Sequence, residues 1–254
     1  MLRISELKLP LDHPPEALPA AIATRLGLGV GELGRWTVWK RAHDARKKSA
    51  ILKVYIVDVE VKDEAAVLVR VTGDAHIRPT PDTGYRPPVA VASPPRGQRL
   101  RPVVIGAGPC GLFAGLILAE MGFRPIILDR GKVVRERTKD TWGLWRRGVL
   151  NPESNVQFGE GGAGTFSDGK LYSQIKDPRF LGRKVLTEFV KAGAPPEILT
   201  EAKPHIGTFR LVTMVESIRE AIESLGGQYR FQSKVVDLLL TDDRKVRGVR
   251  LQSG

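Results

Sequence analysis

Cysteine is nearly absent from this chain. The 254 residues include a single cysteine, Cys110, which excludes an intramolecular disulfide framework and a C-x-x-C redox pair. The sequence shows no zinc-ligand spacing and no Ser/His/Asp pattern, so it predicts no metal site and leaves the catalytic residues unknown. Chains without disulfides are typical of reducing compartments, and we therefore expect a cytoplasmic protein.

Long apolar runs are also missing. Residues 1–10 alternate polar and apolar side chains, unlike the continuous apolar core of a signal peptide. Residues 103–123 carry one charge, Glu120, over a length that could cross a bilayer. Gly106, Gly108 and Pro109 interrupt this stretch, and the VVI and PIIL runs on either side are typical of buried parallel strands. The sequence therefore predicts no membrane-spanning helix.

Acidic residues are too few to balance the formal charge, which is +12. Residues 1–100 hold 16 basic and 11 acidic residues, and residues 101–254 hold 24 and 17, so there is no single basic tail. Two basic clusters could bind phosphates of a nucleotide or of RNA, although most such clusters are solvated helix faces. Without interleaved aromatic residues or a known module, a nucleic-acid partner is not expected. The clusters are Lys40, Arg41, Arg46, Lys47 and Lys48, and Lys132, Arg135, Arg137, Lys139, Arg146 and Arg147.

Composition and periodicity divide the chain into two domains. Residues 1–97 are expected to form a small α+β domain with strands at 2–9, 36–41 and 50–61, a helix at 15–26, and a Pro- and Gly-rich linker from residue 74. Residues 98–254 begin with a strand, a glycine turn, a helix and a second strand. A polar helix at 132–147, helices at 179–192 and 211–225, and strands at 228–232, 234–240 and 246–252 follow. Trp142 and Trp145 are interpreted as packing residues, with the lining of a ligand site as the alternative.

The most informative pattern is the glycine turn at the start of the second domain. Gly106, Gly108 and Gly111 form G-x-G-x-x-G between a strand and a helix, which is the fingerprint of a dinucleotide-binding βαβ unit. Gly106 permits the sharp turn, Gly108 lets a pyrophosphate approach the backbone, and Gly111 allows close packing of helix and sheet. Pro109 suits the first helical turn, whose N–H groups would face the pyrophosphate.

An acidic residue stands near the position expected for a ribose ligand. Asp129 ends the second strand 23 residues after Gly106, close to the offset of about 20 residues at which an acid accepts ribose hydroxyls. This favours an unphosphorylated adenosine ribose, as in FAD or NAD. Cys110, inside the turn, is interpreted as a small residue beside the cofactor, with a redox thiol as the alternative.

A second glycine-dense segment, residues 151–170, follows the polar helix. Its five glycines can lay the backbone against a flat ligand and donate N–H groups to it. A surface loop is the alternative interpretation, but Ser167, Asp168 and Lys170 within the segment favour a cofactor contact.

Three parts of the chain resemble one known family. VVIGAGPCGLFAGLILAEMG with IILDRG, NPESNVQFGEGGAGTFSDGKLY, and FVKAGAPPEIL with KPHIGT are similar to segments of the uncharacterised FAD-dependent dehydrogenases, sometimes labelled NAD(FAD)-utilizing. The resemblance includes KRAHDARKK at residues 40–48 and extends to the last residue. It implies FAD as the cofactor and NAD(P)H as a candidate electron donor.

The resemblance also implies which residues hold FAD. The first glycine turn and the end of the second strand would hold the ADP half, the second glycine segment would approach the pyrophosphate and flavin, and Val235 would meet adenine through its backbone. His205 is either a proton donor near the flavin or a hydrogen-bonded structural residue. The implied cofactor-binding residues are Gly106, Gly108, Pro109, Gly111, Asp129, Arg130, Gly161, Gly162, Ala163, Gly164, Thr165, Ser167, Asp168, Gly169, Lys170 and Val235.

The implied fold is α/β, with a Rossmann-like FAD-binding domain of the glutathione reductase type after the small α+β domain. In that type the chain returns to the first dinucleotide domain near its end, with an Ala-Thr-Gly strand and a Gly-Asp flavin motif that are not found here. We therefore expect the N-terminal portion of a longer protein, incomplete at its C-terminus and inactive alone. The expected function is an FAD-dependent oxidoreductase that transfers hydride through bound flavin to or from an unidentified small molecule. A nucleotide- or RNA-binding module without redox activity is the alternative.

Overall fold

A computed structural model describes residues 1–29, 31–87 and 100–253. These residues form a mixed α/β structure with an antiparallel sheet, a parallel sheet and a separate two-stranded hairpin. They divide into two compact units, one of Met1–Gly84, Leu171–Leu186 and Pro196–Pro204, the other of Tyr85–Lys170, Thr187–Pro195 and His205–Gly254.

The first unit contains a four-stranded sheet in the order β2-β3-β1-β4, in which every neighbouring pair is antiparallel. Alternating apolar residues place one face of this sheet against the helices, with Leu2, Ile4 and Val57 fully buried. Arg3 is also buried and donates two hydrogen bonds of 2.7 Å to the Asp58 carboxylate, which compensates both charges. The elements are β1 (Leu2–Pro10), α1 (Ala17–Leu26), β2 (Trp36–Asp44), β3 (Leu52–Val59), α2 (Glu64–Arg70) and β4 (Ile77–Pro79).

The second unit contains a three-stranded parallel sheet in the order β5-β6-β7. Helix α3 connects β5 to β6, so these elements form the βαβ unit that the glycine pattern predicts. Gly115 allows α3 to pack closely, because a Cβ there would lie 3.2 Å from Ile127 on β6 and 3.3 Å from Ile222 on α6. The bounds are β5 (Val103–Ile105), α3 (Pro109–Glu120), β6 (Ile126–Leu128), α4 (Val134–Arg147), α6 (Thr208–Ser224), β7 (Gln228–Arg230) and the hairpin β8 (Val235–Leu240) and β9 (Val246–Leu251).

Helix α5 (Leu181–Lys191) contributes residues to both units. The predicted domain boundary between residues 97 and 98 lies outside the described residues, as do Pro88, Pro94 and Pro95 of the predicted linker. The division into residues 1–97 and 98–254 therefore stays a prediction, although the first unit also draws on residues 171–186 and 196–204.

Three local predictions from the sequence differ from the structure. Ile77–Pro79, assigned to the linker, form β4, because β1 offers them an unpaired antiparallel partner. Helix α2 was not predicted, although the Asp63 carboxylate caps it by accepting from the Ala66 N–H. Strand β5 was expected to be buried, but Val103 and Ile105 are 39% and 56% exposed because β5 lies at one end of the described sheet.

None of the described helices combines the length and the apolar character needed to cross a bilayer.

Candidate functional site

The first glycine turn joins the ends of two parallel strands in the second unit. Gly106 follows β5 with a φ of 95°, a conformation that favours glycine, and its N–H donates to the Leu128 carbonyl on β6 at 2.7 Å. A Cβ at Gly111 would lie 1.8 Å from the Gly106 carbonyl oxygen. Only glycine at position 111 allows α3 to begin this close to the turn.

Helix α3 begins directly over this turn, with Gly108 as its extended N-cap and Pro109 in its first turn. The first N–H groups of a helix have no acceptor within it and carry the positive end of its dipole. A Cβ built on Gly108 meets a single atom within 4 Å, the Gly162 Cα at 3.8 Å. The protein therefore leaves space at Gly108, which is the space that a pyrophosphate would use.

Asp129 is buried at the carboxyl end of β6, and its carboxylate holds the turn together. Its two oxygens accept from the Ala107 N–H at 2.7 Å and from the Gly131 N–H at 2.8 Å. A carboxylate has about four acceptor positions, so two remain for ligand hydroxyls. Asp129, which is predicted to bind the ribose, therefore also stabilises the turn. The sequence did not indicate this structural role.

Part of the second glycine segment folds onto the first turn. The Gly161 N–H donates to the Ala107 carbonyl at 2.8 Å. Gly162 has a φ of 63°, and a Cβ on it would lie 2.9 Å from the Pro109 ring and 3.1 Å from the Gly108 Cα. Glycine at these positions is required for two separate motifs to share one surface.

Arg137 on α4 holds this segment in place. Its fully buried guanidinium donates to the carbonyl oxygens of Asn155 at 2.7 Å, Glu160 at 2.6 Å and Gly162 at 2.9 Å. A fourth bond, of 2.6 Å, goes to the Val156 carbonyl, and burial lowers the pKa of the Arg137 guanidinium to about 10. Arg137 belongs to the second basic cluster, of a kind that is mostly a solvated helix face. A solvated position is wrong for Arg137, because four of its five guanidinium N–H donors bond to carbonyl oxygens and compensate the cost of burial.

Glu160 adds a second buried link between the segment and the helices. Its carboxylate accepts from the Val134 N–H on α4 and from the Arg219 guanidinium on α6, both at 2.7 Å. Burial raises the pKa of the Glu160 carboxyl above its ordinary value. The charge pattern alone did not single out Glu160.

These elements enclose a cleft of about 310 Å³ at the carboxyl ends of β5 and β6, where α/β sheets commonly bind their ligands. Six predicted cofactor residues line it: Gly106, Gly108, Asp129, Arg130, Gly162 and Val235. The backbone brings the last of these there, because the Ser233 N–H donates to the Asp129 carbonyl at 2.8 Å. Seven further lining residues were not predicted: Ile105, Leu128, Gln157, Phe158, Gly159, Ser233 and Lys234.

The other predicted residues have different positions. Pro109, Gly111 and Gly161 are not among the cleft-lining residues, but each contacts residues of the glycine turns that form the cleft. Ala163, Gly164 and Thr165 lie on the 3-10 turn Ala163–Phe166, where Thr165 is buried and the other two are exposed.

Ser167, Asp168, Gly169 and Lys170 are not among the residues that line the cleft, and they pack against residues 205–208 of the same unit. The Ser167 carbonyl accepts from the Thr208 hydroxyl at 2.9 Å, and the Asp168 carboxylate lies 2.8 Å from the Lys170 Nζ. His205 Nε2 lies 3.6 Å from the same carboxylate, and its side chain is half exposed. His205 does not line the cleft, and a role at the flavin stays a prediction.

Three charged residues form a group at the rim of the cleft. The Glu153 carboxylate accepts from the Arg130 Nε at 2.6 Å and from the Lys234 Nζ at 2.8 Å. These bonds from Lys234 and Arg130 hold the pKa of the Glu153 carboxyl below its ordinary value. The Arg130 guanidinium also lies 4.1 Å from the centre of the Phe158 ring. The rim is therefore basic but partly neutralised.

A second cavity, of about 480 Å³, lies between α4 and α6. Trp142 and Trp145 line it and are 45% and 55% exposed, with ring centres 6.0 Å apart. Both tryptophans therefore contact each other and also line this cavity. Cys110 is exposed at the first turn of α3 and is not among the cleft-lining residues.

Residues 1–60 match a family model described as "Domain of unknown function (DUF8436)". An "Uncharacterized protein" of Clostridium beijerinckii is 42% identical over 243 residues, which are 96% of this chain and 44% of that protein. This chain therefore spans less than half the length of that relative.

Two solved structures are weakly similar. One is Thermovibrio ammonificans THI4, at 20% identity and a TM-score of 0.35, covering 59% of this chain and 45% of that one. The other is the 3-ketosteroid-delta4-(5alpha)-dehydrogenase of Rhodococcus jostii RHA1 in complex with 4-androstene-3,17-dione, at 15% identity and a TM-score of 0.37, covering 59% and 41%. TM-scores in this range do not establish a shared fold.

Proposed function

We propose that the second unit binds the ADP half of FAD and that the protein is an FAD-dependent oxidoreductase. One observation carries the proposal: both glycine motifs and the acid after β6 line one cleft at the N-terminus of α3. The space at Gly108, the helix N–H groups and the two remaining acceptor positions on Asp129 match a pyrophosphate and a ribose diol.

The chain's own residues would position the cofactor. The α3 N-terminus would hold the pyrophosphate, Asp129 would accept the ribose hydroxyls, and the Val235 backbone would meet adenine. Bound flavin would supply hydride transfer, for which the protein provides binding and orientation. NAD(P)H as the electron donor stays a prediction, and no substrate is proposed.

The alternative, an RNA-binding module, is less well supported by the same residues. In the second basic cluster Arg137 is buried, Lys132 lies 3.0 Å from Asp140, and Arg135 lies 2.6 Å from Glu216. In the first cluster, Arg46 and Arg41 donate to Asp44 and Glu201 at 2.8 Å. Paired and buried cations contribute less to phosphate binding than free ones.

Cofactor content tests the proposal directly. We expect protein purified without added cofactor to release FAD and not FMN on denaturation, because FMN lacks the ADP half that the cleft matches. Mass spectrometry of the released compound, together with a titration of FAD and ADP into the apoprotein, measures this. Release of FMN alone, or failure of both FAD and ADP to bind, would contradict the assignment.

A substitution at Gly108 tests where the nucleotide binds. Gly108→Val adds branched carbons where the pyrophosphate would approach, and we expect FAD affinity to fall by several kcal/mol, as the loss of charge-assisted hydrogen bonds implies. Gly248→Val is the matched control, because a Cβ there makes an ordinary 3.6 Å contact with Leu239 within the β8–β9 hairpin. Circular dichroism checks that both variants fold. Equal FAD affinity in the two variants would place the pyrophosphate elsewhere.

A further inference from the structure

The rim of the cleft holds two cations where an adenosine ribose would bind. Arg130 is the next residue after Asp129, the proposed ribose-binding acid, and Lys234 is the residue before Val235. Both side chains line the cleft, and both also line a neighbouring cavity of about 320 Å³. Nucleotide-binding sites of this type use a nearby Arg to accept a 2′-phosphate on the ribose. The cations and the space for a 2′-phosphate are therefore both present.

The anion between these cations is supplied by the protein itself. Glu153 bridges the Arg130 Nε at 2.6 Å and the Lys234 Nζ at 2.8 Å. It is the single acidic residue among the described residues that line the neighbouring cavity. Its carboxylate therefore bridges the two cations that a ribose 2′-phosphate would also attract.

We propose that Glu153 is a specificity-determining residue that restricts the cleft to adenine nucleotides without a 2′-phosphate. The inference rests on the proposed function, since it concerns the same nucleotide cleft. A 2′-phosphate would have to displace Glu153 from both cations, and the two anions would repel each other at close range. An unphosphorylated ribose meets neither obstacle and is accepted by Asp129. This rejection depends on an unfavourable contact, as specificity often does.

An ADP-binding cleft meets both phosphorylated and unphosphorylated dinucleotides. Phosphorylated and unphosphorylated dinucleotides share the adenine, ribose and pyrophosphate that the glycine turns bind. Two cations next to the ribose would by themselves favour the phosphorylated form. Glu153 opposes that preference, in addition to the acid Asp129, without removing cations that also cover the cleft, such as Arg130 over Phe158.

The test compares two probe ligands, ADP and 2′-phospho-ADP, by isothermal titration of the 254-residue apoprotein. We expect the wild-type chain to prefer ADP and Glu153→Gln to reduce the ADP preference by about tenfold, a shift of 1.4 kcal/mol. The change should come from tighter binding of 2′-phospho-ADP, with the ADP dissociation constant altered by less than about threefold. A merely structural role would weaken both ligands together, so the ratio is the informative quantity.

Glu216→Gln is the matched control. The Glu216 carboxylate also accepts two hydrogen bonds from a cation, Arg135, at 2.7 and 2.6 Å, but Glu216 is not among the cleft-lining residues. Its ADP preference should equal that of the wild type. Glu153→Ala is the second variant and should shift the ratio in the same direction as Glu153→Gln. Partial exposure of the Glu153 side chain makes folding of both variants expected.

The outcomes separate this inference from the proposed function. A wild-type chain that binds neither FAD nor ADP overturns the proposed function and the inference with it. A wild-type chain that binds ADP, with the same ligand ratio before and after substitution of Glu153, overturns the specificity role alone. Equal weakening of ADP and 2′-phospho-ADP binding also overturns it and would show that Glu153 has a structural role.

Discussion

Two parts of one glycine-rich segment have opposite environments. Residues 159–162 are buried, pack against the first glycine turn and contribute Gly159 and Gly162 to the cleft lining. Residues 167–170, a few positions later, are mostly exposed and pack against residues 205–208. The predicted cofactor residues include Gly161 and Gly162 of the first part and all four residues of the second part, because they belong to one motif. The 3-10 turn Ala163–Phe166 separates the two parts, so residues that are close in sequence do not all line the cleft.

The largest expected effect concerns the support of the buried part. Arg137→Met keeps the side-chain volume but leaves up to four carbonyl groups without their donor. We expect the free energy of unfolding to fall by at least about 3 kcal/mol, since unpaired buried polar groups are costly. Urea denaturation followed by circular dichroism measures this. Arg135→Met, on the exposed face of α4, is the control and should have a much smaller effect; equal losses would show that Arg137 does not hold residues 155–162.

A pair of glycine substitutions tests the contrast in backbone requirements. Gly161 has a φ of 83°, and a Cβ there would lie 2.1 Å from the Thr165 Oγ1. We expect Gly161→Ala to cost about 1–3 kcal/mol, the range for a strained left-handed residue. Gly164 has no atom within 4 Å of a built Cβ and an ordinary φ, so Gly164→Ala should leave the free energy of unfolding unchanged. Equal stability of the two variants would contradict a stricter backbone requirement in residues 159–162 than in the 3-10 turn that follows them.

Two ligands can show whether the exposed part meets the flavin. Gly162→Ala should weaken both ADP and FAD, because a Cβ there narrows the cleft next to Gly108. Asp168→Asn should leave ADP affinity within about threefold of the wild type, since an exposed pair with Lys170 contributes little to a site it does not line. Weaker FAD binding with unchanged ADP binding in Asp168→Asn would support the predicted flavin contact. Weaker ADP binding would contradict the separation into two parts.

The smallest expected effect is a difference in pH dependence between two acids of the segment. Burial raises the pKa of Glu160, so above pH 4.5, its ordinary value, the native state retains a proton that the unfolded chain loses. Glu160 therefore makes the free energy of unfolding fall as pH rises toward the native pKa. The hydrogen bond from Lys170 lowers the pKa of Asp168, whose contribution is present above pH 3.8 and is lost as pH falls through the native pKa.

Urea unfolding across this acidic range measures the two contributions. Glu160→Gln should remove a downward slope above pH 4.5, and Asp168→Asn should remove an upward slope below pH 3.8. Slopes of the same sign in the two variants would contradict the assigned environments.

Local chemistry allowed much of this protein to be predicted from its sequence. Gly106, Gly111 and Pro109 predicted a strand, turn and helix because each position tolerates few other residues, and the structure confirms the βαβ unit. The basic composition, the single cysteine and the strand periodicities likewise follow from residue identity alone. The position of Asp129 at the cleft could be predicted because its spacing from the turn is set by the length of one helix and one strand.

Tertiary structure alone decided which residues meet at the cleft. Lys234 and Ser233 reach it after β7, which pairs with β6 although it lies more than a hundred residues after the glycine turn, and no local pattern encodes that approach. Arg137 was interpreted as a surface cation because a charge pattern does not reveal whether carbonyl groups surround a side chain. Burial and pairing depend on what packs against a residue, and the packing partners of Arg137, Glu153 and Asp168 come from the folded chain.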